Sequence, residues 1–177
     1  MDTQNDAGTM TRTATGPAAP GASPAAAGDV PRADVRTDLS TRQAPSKWVI
    51  VVDRDLPVGR QVNAAACMAA AVGRALPHLI GPDAVDASGQ THPGLPWAGC
   101  SVLATEADAL AALRAKAATR PDVLVVDMPL AAQRARVYDG YREQVAQEES
   151  SALGYCAVSL VGPRNRVDRL VGRLPLL

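Results

Sequence analysis

The sequence predicts a three-layer α/β domain in which helices cover both faces of a four-stranded sheet. Two runs, residues 47–53 and 123–127, are almost continuously apolar and rich in β-branched residues, and each ends in an aspartate. Such runs are typical of strands that are covered on both faces. Segments with helical periodicity alternate along the chain with these and two further strand-like runs. This repeated order of strand and helix is the pattern of helices packed on both sides of one sheet.

The first half of the domain predicts one long helix followed by turns. After the first strand and a loop, residues 62–76 are mostly alanine with larger apolar residues at helical spacing, and a proline ends the segment. Asn63 is interpreted as the N-cap of this helix, because its side chain can accept hydrogen bonds from free backbone N–H groups. Residues 81–94 are rich in Gly and Pro, which predicts turns around one short strand at residues 84–87.

The second half of the chain predicts three further strands, each followed by a helix. Thr105 is interpreted as the N-cap of the second helix, and Gly172 as the residue that ends the last one. In the helix between them, Ala132, Ala135 and Tyr138 form one stripe. The predicted strands cover residues 100–103, 123–127 and 155–161, and the predicted helices cover residues 105–117, 129–149 and 162–172.

The first 46 residues differ in composition from the rest of the chain. They are rich in Ala, Pro, Gly, Thr and Asp, and their few larger apolar residues keep no helical or strand period. Such a segment cannot bury enough apolar surface to offset its conformational entropy. The sequence therefore predicts a disordered tail over residues 1–46 and a single domain over residues 47–177.

Charge and cysteine content exclude several classes of protein. The chain has 18 basic and 18 acidic residues, so it lacks the basic excess expected of a nucleic-acid-binding protein. No run of apolar residues is long enough to span a membrane, and the acidic N-terminus is not that of a secretory signal, which predicts a cytoplasmic protein. Its three cysteines are widely spaced, which suggests reduced thiols, and we expect neither a metal site nor a cofactor.

Polar residues gather where two predicted strands end. Asp53 and Asp127 each close a strand, and ligands of open α/β sheets bind at the carboxyl ends of the strands. The loop after Asp53 runs directly into the first helix, so carboxylates, a guanidinium group and free backbone N–H groups share a small volume. The sequence predicts Asp55 or Asp127 as a general base. The predicted ligand contacts come from Asp53, Gly59, Arg60 and Asn63.

Each of these residues also has a structural interpretation. Asp55 can cap its own turn, and Gly59 can supply a positive φ angle. Cys67, one helical turn after Asn63, is interpreted as a small buried side chain rather than a nucleophile, because alanines surround it. His92 is predicted to contact the ligand, as a general base, if the turn-rich loop folds over the site; otherwise it is an exposed loop residue.

The last predicted helix carries a stripe of arginines. This stripe can contact an anionic ligand, but the default interpretation is a solvated helix face. Its members are Arg164, Arg166, Arg169 and Arg173.

Three short motifs resemble those of a known family. The segment Asp-x-Asp-Leu-Pro-x-Gly at 53–59, Asn-Ala-Ala-Ala at 63–66 and Gly-Pro-Arg at 162–164 are similar to an uncharacterised bacterial domain-of-unknown-function family, the two-thousandth of that series. That family resembles type II peptidyl-tRNA hydrolases, and the similarity covers residues 47–177. The resemblance implies a peptidyl-tRNA hydrolase II-like fold, a three-layer α/β/α arrangement around a mixed, mainly parallel four-stranded sheet.

The same resemblance predicts a changed function. Where the hydrolases have a basic residue, Gln and His near the start of the first helix, this chain has Val62, Ala66 and Ala69. Asp127 matches their acid, but the threonine that follows it in the hydrolases has no counterpart. We therefore expect a hydrolase-like enzyme that acts on a small acyl, ester or amide substrate and does not cleave peptidyl-tRNA. The alternative is a non-catalytic module that binds a small ligand or a regulatory partner in the same cleft. The sequence leaves a homodimer open.

Overall fold

The computed structural model describes residues 35–177, which form an α/β domain built on a mixed four-stranded sheet flanked by helices. A two-stranded hairpin, β2 and β3, stands apart from this sheet, and a short 3-10 turn, Pro77–Leu79, precedes it. The strands are β1 (Ser46–Asp53), β2 (Ala84–Val85), β3 (Thr91–His92), β4 (Ser101–Thr105), β5 (Leu124–Pro129) and β6 (Tyr155–Pro163). The helices are α1 (Val58–Ala75), α2 (Ala107–Ala118), α3 (Leu130–Arg134), α4 (Tyr138–Ala146) and α5 (Arg164–Val171).

The order of the strands in the main sheet is β4-β1-β6-β5. β1 pairs with β4 in parallel, whereas β6 is antiparallel to both β1 and β5. β1, β4 and β5 therefore point the same way, and β6 runs against them between β1 and β5. The expected mixed sheet is confirmed. The expectation that it is mainly parallel holds for strand direction but not for pairing, since two of the three pairings are antiparallel.

Helices cover both faces of the sheet because its strands carry apolar residues on both sides. Alternate residues of β1 belong to different cores, as the two-residue period of a strand requires. Ile50 and Val52 pack with residues of α1 such as Met68, whereas Val49 and Val51 pack with residues of α2 and α5. Small side chains on α1, such as the fully buried Ala64, let that helix lie close to the sheet.

Two helix starts differ from the prediction. α1 begins at Val58, directly after Pro57, so Asn63 lies inside the helix, exposed, and is not its N-cap. Proline at this point has a φ angle already suited to a helix and lacks the N–H that would be left unbonded. Thr105 is also not an N-cap, because it remains in β4, paired with Asp53, and Glu106 precedes α2.

Two other segments contain one more element than expected. The predicted helix over residues 129–149 is divided into α3 and α4, because Ala135 and Val137 have extended backbone conformations. The start of α3 is held at the sheet edge, where the Leu130 N–H donates to the Gly154 carbonyl. The turn-rich segment contains the β2–β3 hairpin instead of one strand at residues 84–87. No Gly or Pro marks the break between α3 and α4, so local sequence gave no signal for it.

The last residues before β1 are packed against the domain. The Arg164 guanidinium donates hydrogen bonds to the carbonyls of Thr41 and Ala44, and Ala44 is fully buried. The predicted end of the disordered tail at residue 46 is therefore wrong, because Thr41, Ala44 and Pro45 are bonded to Arg164 and Ser46 begins β1. Residues 1–34 of the predicted tail lie outside the described residues. Within residues 35–177, no helix is both long enough and apolar enough to cross a membrane.

Candidate functional site

The predicted site residues are divided between the two faces of the sheet. Asp53 and Asp127 lie at the carboxyl ends of β1 and β5, but β6 lies between these strands. Two strand spacings separate them by roughly 10 Å. The Asp127 side chain bonds to Arg114 of α2, on one face, whereas Asn63 is on α1, which covers the other face. The structure therefore does not bring Asp127 and Asn63 into one pocket.

Asp127 is held in a half-buried ion pair. Its Oδ2 accepts a hydrogen bond of 2.8 Å from Arg114 Nε, and the guanidinium lies 5.6 Å from the centre of the Tyr155 ring. Burial disfavours the charge on Arg114, but the hydrogen bond and negative charge of Asp127 outweigh it and raise the pKa of Arg114. Arg114 therefore stays charged. Because its guanidinium group is bonded to the Asp127 carboxylate, that carboxylate is not free to act as a general base.

Asp53 has a local structural role. Its carboxylate accepts a 3.1 Å hydrogen bond from the Asp55 N–H, so Asp53, rather than Asp55, closes the turn, while Asp55 is exposed. The buried Gln61 amide donates to the carbonyls of Asp53 and Arg54, at 3.1 Å each, and fixes the passage from β1 into α1. Gly59 is in α1 and has no positive φ angle, which corrects the turn interpretation of that glycine.

Arg60 and Asn63 take part in a contact between α1 and α3. The Gln133 Nε2 donates to the Arg60 carbonyl at 2.8 Å and to the Asn63 Oδ1 at 3.2 Å. The Gln133 Oε1 is buried and has no hydrogen-bond partner among the described residues. Asn63 thus helps to position α3.

A cavity of about 480 Å³ lies between α1, β5 and the α3–α4 segment. We call it the α1–α4 cavity. Most of its lining is apolar, with one thiol, one guanidinium group and two phenols. Ala132, Ala135 and Tyr138, which the sequence placed in one stripe, line it together. The remaining lining residues are Cys67, Met128, Arg136, Val137 and Tyr141.

Cys67 is exposed at this cavity, so its interpretation as a buried side chain is wrong. Of the alanines around it, Ala64 is buried whereas Ala66 and Ala70 are exposed, and composition cannot distinguish these surroundings. Cys100 is also exposed and Cys156 is buried; all three thiols are unpaired. No group of three or more potential metal ligands occurs within residues 35–177.

Two tyrosines stand together at the cavity. The rings of Tyr138 and Tyr141 are 5.6 Å apart between centroids and inclined at 60°. Burial raises the pKa of Tyr141 above its ordinary value, and the negative charge of Asp127, with that of Tyr138 once it ionises, raises it further. The Tyr141 hydroxyl therefore stays protonated at neutral pH and can donate a hydrogen bond to a ligand oxygen.

The raised tyrosine pKa values predict a loss of stability at alkaline pH. Burial raises the pKa of Tyr155 as well as that of Tyr141, from a reference of 10.0. Above that pH the unfolded chain loses these protons first, so the contribution to stability is complete below about pH 10 and is lost as the pH rises through the raised values. The free energy of unfolding, measured in urea from pH 8 to 11, is expected to fall less steeply in the variant Tyr141→Phe/Tyr155→Phe. Equal slopes would contradict this prediction.

His92 is remote from the other predicted residues. It lies in β3, exposed, with its Nε2 3.4 Å from Asp86 Oδ2. The hairpin segment leaves and rejoins the domain beyond the C-terminal end of α1, where the Trp97 N–H donates to the Leu79 carbonyl. α1 has 18 residues, about 27 Å, between this end and the predicted site. This loop therefore does not fold over the predicted site, and His92 is the exposed loop residue of the alternative interpretation.

Comparisons with known proteins agree with the fold described above. A family model described as "Protein of unknown function (DUF2000)" matches residues 46–177. The chain belongs to this family. A solved structure of a protein of unknown function from Agrobacterium tumefaciens is similar to this chain, with a TM-score of 0.69 and 18% sequence identity. The similarity covers 75% of this chain and 98% of that one. No curated protein matches the chain.

In this DUF2000 domain, the residues that shape the candidate site include several that sequence patterns did not single out. Gln61 and Gln133 hold the loops and helices around the site, and Tyr141 and Arg136 line the cavity. The neighbouring sequence does not distinguish a glutamine whose side chain bonds to a distant carbonyl from one whose side chain is exposed to solvent. The available signal for the cavity was the stripe of Ala132, Ala135 and Tyr138 in the predicted helix over residues 129–149, which indicated that one face of this helix is covered.

Proposed function

We propose that the DUF2000 domain binds a small molecule with an apolar body and an acidic group in the α1–α4 cavity. Non-catalytic ligand binding is the alternative that the sequence left open, but for the cleft at the carboxyl ends of the strands, whereas the proposed site is the α1–α4 cavity. The observation that supports it is the cavity itself: its volume of about 480 Å³ lies within the range of small-molecule sites, and most of its lining is apolar.

The lining residues favour a particular ligand chemistry. Met128 and Ala132 provide apolar wall, and Arg136 is the one cationic residue that lines the cavity within the described part of the chain. Arg136 is exposed, which puts the charge at the mouth. A guanidinium group pairs well with a carboxylate. An acyl chain that ends in a carboxylate, as in an N-acyl amino acid, has both features.

Hydrolysis of an acyl, ester or amide substrate stays a prediction that rests on the resemblance to type II peptidyl-tRNA hydrolases. The geometry favours it less, because Asp55 is exposed in the turn after β1 and Asp127 is paired with Arg114. Neither carboxylate lines the α1–α4 cavity. An N-acyl amino acid contains an amide bond, so one compound can report on both functions.

The first experiment measures thermal unfolding with N-decanoylglycine, kept below its micelle-forming concentration. At about 100 times its dissociation constant, a ligand of the folded state adds roughly 2.7 kcal/mol to the free energy of unfolding. We expect a rise in Tm with the compound recovered unchanged, and a smaller rise with decanol, which lacks the acid. Binding to the variant Arg136→Gln should be about tenfold weaker, the loss of one exposed charged hydrogen bond.

The outcomes separate the two functions. Stabilisation with intact N-decanoylglycine supports binding alone. Release of decanoate and glycine by the wild-type protein, abolished in Asp55→Asn or Asp127→Asn, would support the hydrolase instead. No stabilisation by any acyl carboxylate, or equal binding of decanol and N-decanoylglycine, would overturn the proposed ligand chemistry.

A further inference from the structure

A second cavity, of about 250 Å³, lies on the opposite face of the sheet between α2 and α5. We call it the α2–α5 groove. It shares no lining residue with the α1–α4 cavity. Its lining is mainly basic, and two of the arginines belong to the stripe that the sequence predicted on the last helix. The lining residues are Lys116, Arg120, Arg166, Arg169 and Leu170.

Most of this positive charge is not neutralised by the protein. Arg166 Nε pairs with Asp122 Oδ2 at 3.0 Å, and both side chains are partly exposed. Arg169 Nε donates to a carbonyl of its own helix, at Asn165, and its terminal nitrogens remain available. Within residues 35–177, no carboxylate lies within ion-pair distance of Lys116, Arg120 or Arg169. Four cations against one carboxylate leave three positive charges in a chain of zero net charge.

An apolar groove of about 220 Å³ continues from the basic one. The two grooves share Lys116 and Leu170, so a basic surface and an apolar surface lie next to each other between α2 and α5. The other lining residues of the apolar part are Thr105, Ala109, Ala112, Leu113, Val171 and Leu174. A ligand that fills both parts must have an anionic end and a carbon portion.

We propose that the α2–α5 groove binds an organic diphosphate. A terminal diphosphate carries about three negative charges near neutral pH, against the one and a half to two of a phosphomonoester, and so matches the excess in the groove. Guanidinium groups bind phosphate oxygens in pairs of hydrogen bonds. The carbon portion lies along the apolar part, against Leu113 and Leu174. Of the four basic lining residues, Lys116 alone also lines the apolar part, so the positive charge is concentrated at one end of the groove, which suits a small molecule and not a nucleic-acid backbone.

Titration calorimetry of the full chain in 50 mM salt tests the proposal with inorganic pyrophosphate, geranyl diphosphate and ADP. Geranyl diphosphate is expected to bind at least about tenfold more tightly than pyrophosphate, because its chain buries apolar surface. ADP tests whether a nucleoside serves as the carbon portion. If either organic diphosphate binds more tightly than pyrophosphate, the proposal is supported, and the tighter of the two shows which carbon portion the site prefers. Failure of all three to bind, or equal affinity for all three, would overturn it.

Two variants test the location of the site. Arg120→Gln/Arg169→Gln should weaken diphosphate binding about 100-fold, whereas Arg42→Gln/Arg74→Gln, which removes the same charge elsewhere, should change it less than about threefold. Arg120 and Arg169 are exposed and form no part of the core, so both variants are expected to fold. Ala112→Phe, in the apolar part, should remove the advantage of geranyl diphosphate and leave pyrophosphate binding unchanged. An equal loss in both arginine variants would show non-specific charge attraction and contradict the site.

Discussion

Replacing Ala132 with phenylalanine is expected to weaken binding of N-decanoylglycine at least about 100-fold. Ala132 is a half-buried residue of α3 whose side chain lines the α1–α4 cavity. A benzyl group added there occupies the space that the acyl chain would fill, so the chain loses the burial that drives apolar binding. Binding is measured by titration calorimetry against the wild-type protein, after the far-ultraviolet circular dichroism has shown that the variant is folded.

The matched control is Ala71→Phe. Ala71 is exposed on α1 and does not line the cavity, so the same added group leaves the site open. We expect its affinity to stay within about threefold of the wild-type value. If Ala132→Phe binds the probe as tightly as Ala71→Phe does, the ligand lies elsewhere and the proposed site is wrong.

Replacing Leu160 with alanine is expected to lower the free energy of unfolding by about 3 to 4 kcal/mol, within the usual range for a buried leucine. Leu160 is fully buried at the centre of β6, which pairs with both β1 and β5. It packs in the core under α2 and α5, with Leu110 and Val167. The loss has two parts: the transfer free energy of the removed carbons, and the cost of the cavity they leave, which the rigid strands on both sides keep open.

Urea unfolding of Leu160→Ala and of Leu95→Ala measures this effect. Leu95 is 78% exposed, so its replacement should change the free energy of unfolding by no more than about 0.5 kcal/mol. A loss below about 1 kcal/mol in Leu160→Ala would contradict the packing of this layer. Because Leu160 packs on the face of the sheet opposite α1, the variant should retain binding in the α1–α4 cavity wherever it remains folded.

The sequence predicted the elements whose signal is local. β1 and β6 are dense in apolar residues because each is buried on both faces, and this pattern predicted both within a few residues. The face of α2 that carries Leu110, Leu113 and Ala117 is buried. The aspartates that close two predicted strands also indicated the correct end of the sheet, because Asp53 and Asp127 both lie toward the carboxyl ends of their strands.

The arrangement of the site could not be predicted because it depends on which strands pair. β6 enters the sheet last along the chain and lies between β1 and β5, which separates the two acids. The same pairing turns the Asp127 side chain toward Arg114, on the face away from Asn63. Strand pairing and side-chain direction of this kind depend on residues far apart in the sequence, so a short segment of neighbouring residues does not reveal them. The division between α3 and α4, beside the cavity, is likewise marked by no Gly or Pro in the local sequence.

The most direct measurement uses the methionine methyl groups as reporters of the α1–α4 cavity. The chain has four methionines, of which Met128 lines the cavity and Met68 is buried under α1. With methyl-labelled methionine and saturating N-decanoylglycine, we expect nuclear Overhauser contacts between the decanoyl chain and the Met128 methyl group. Saturated binding without a contact to the Met128 methyl group would contradict the α1–α4 cavity as the ligand site.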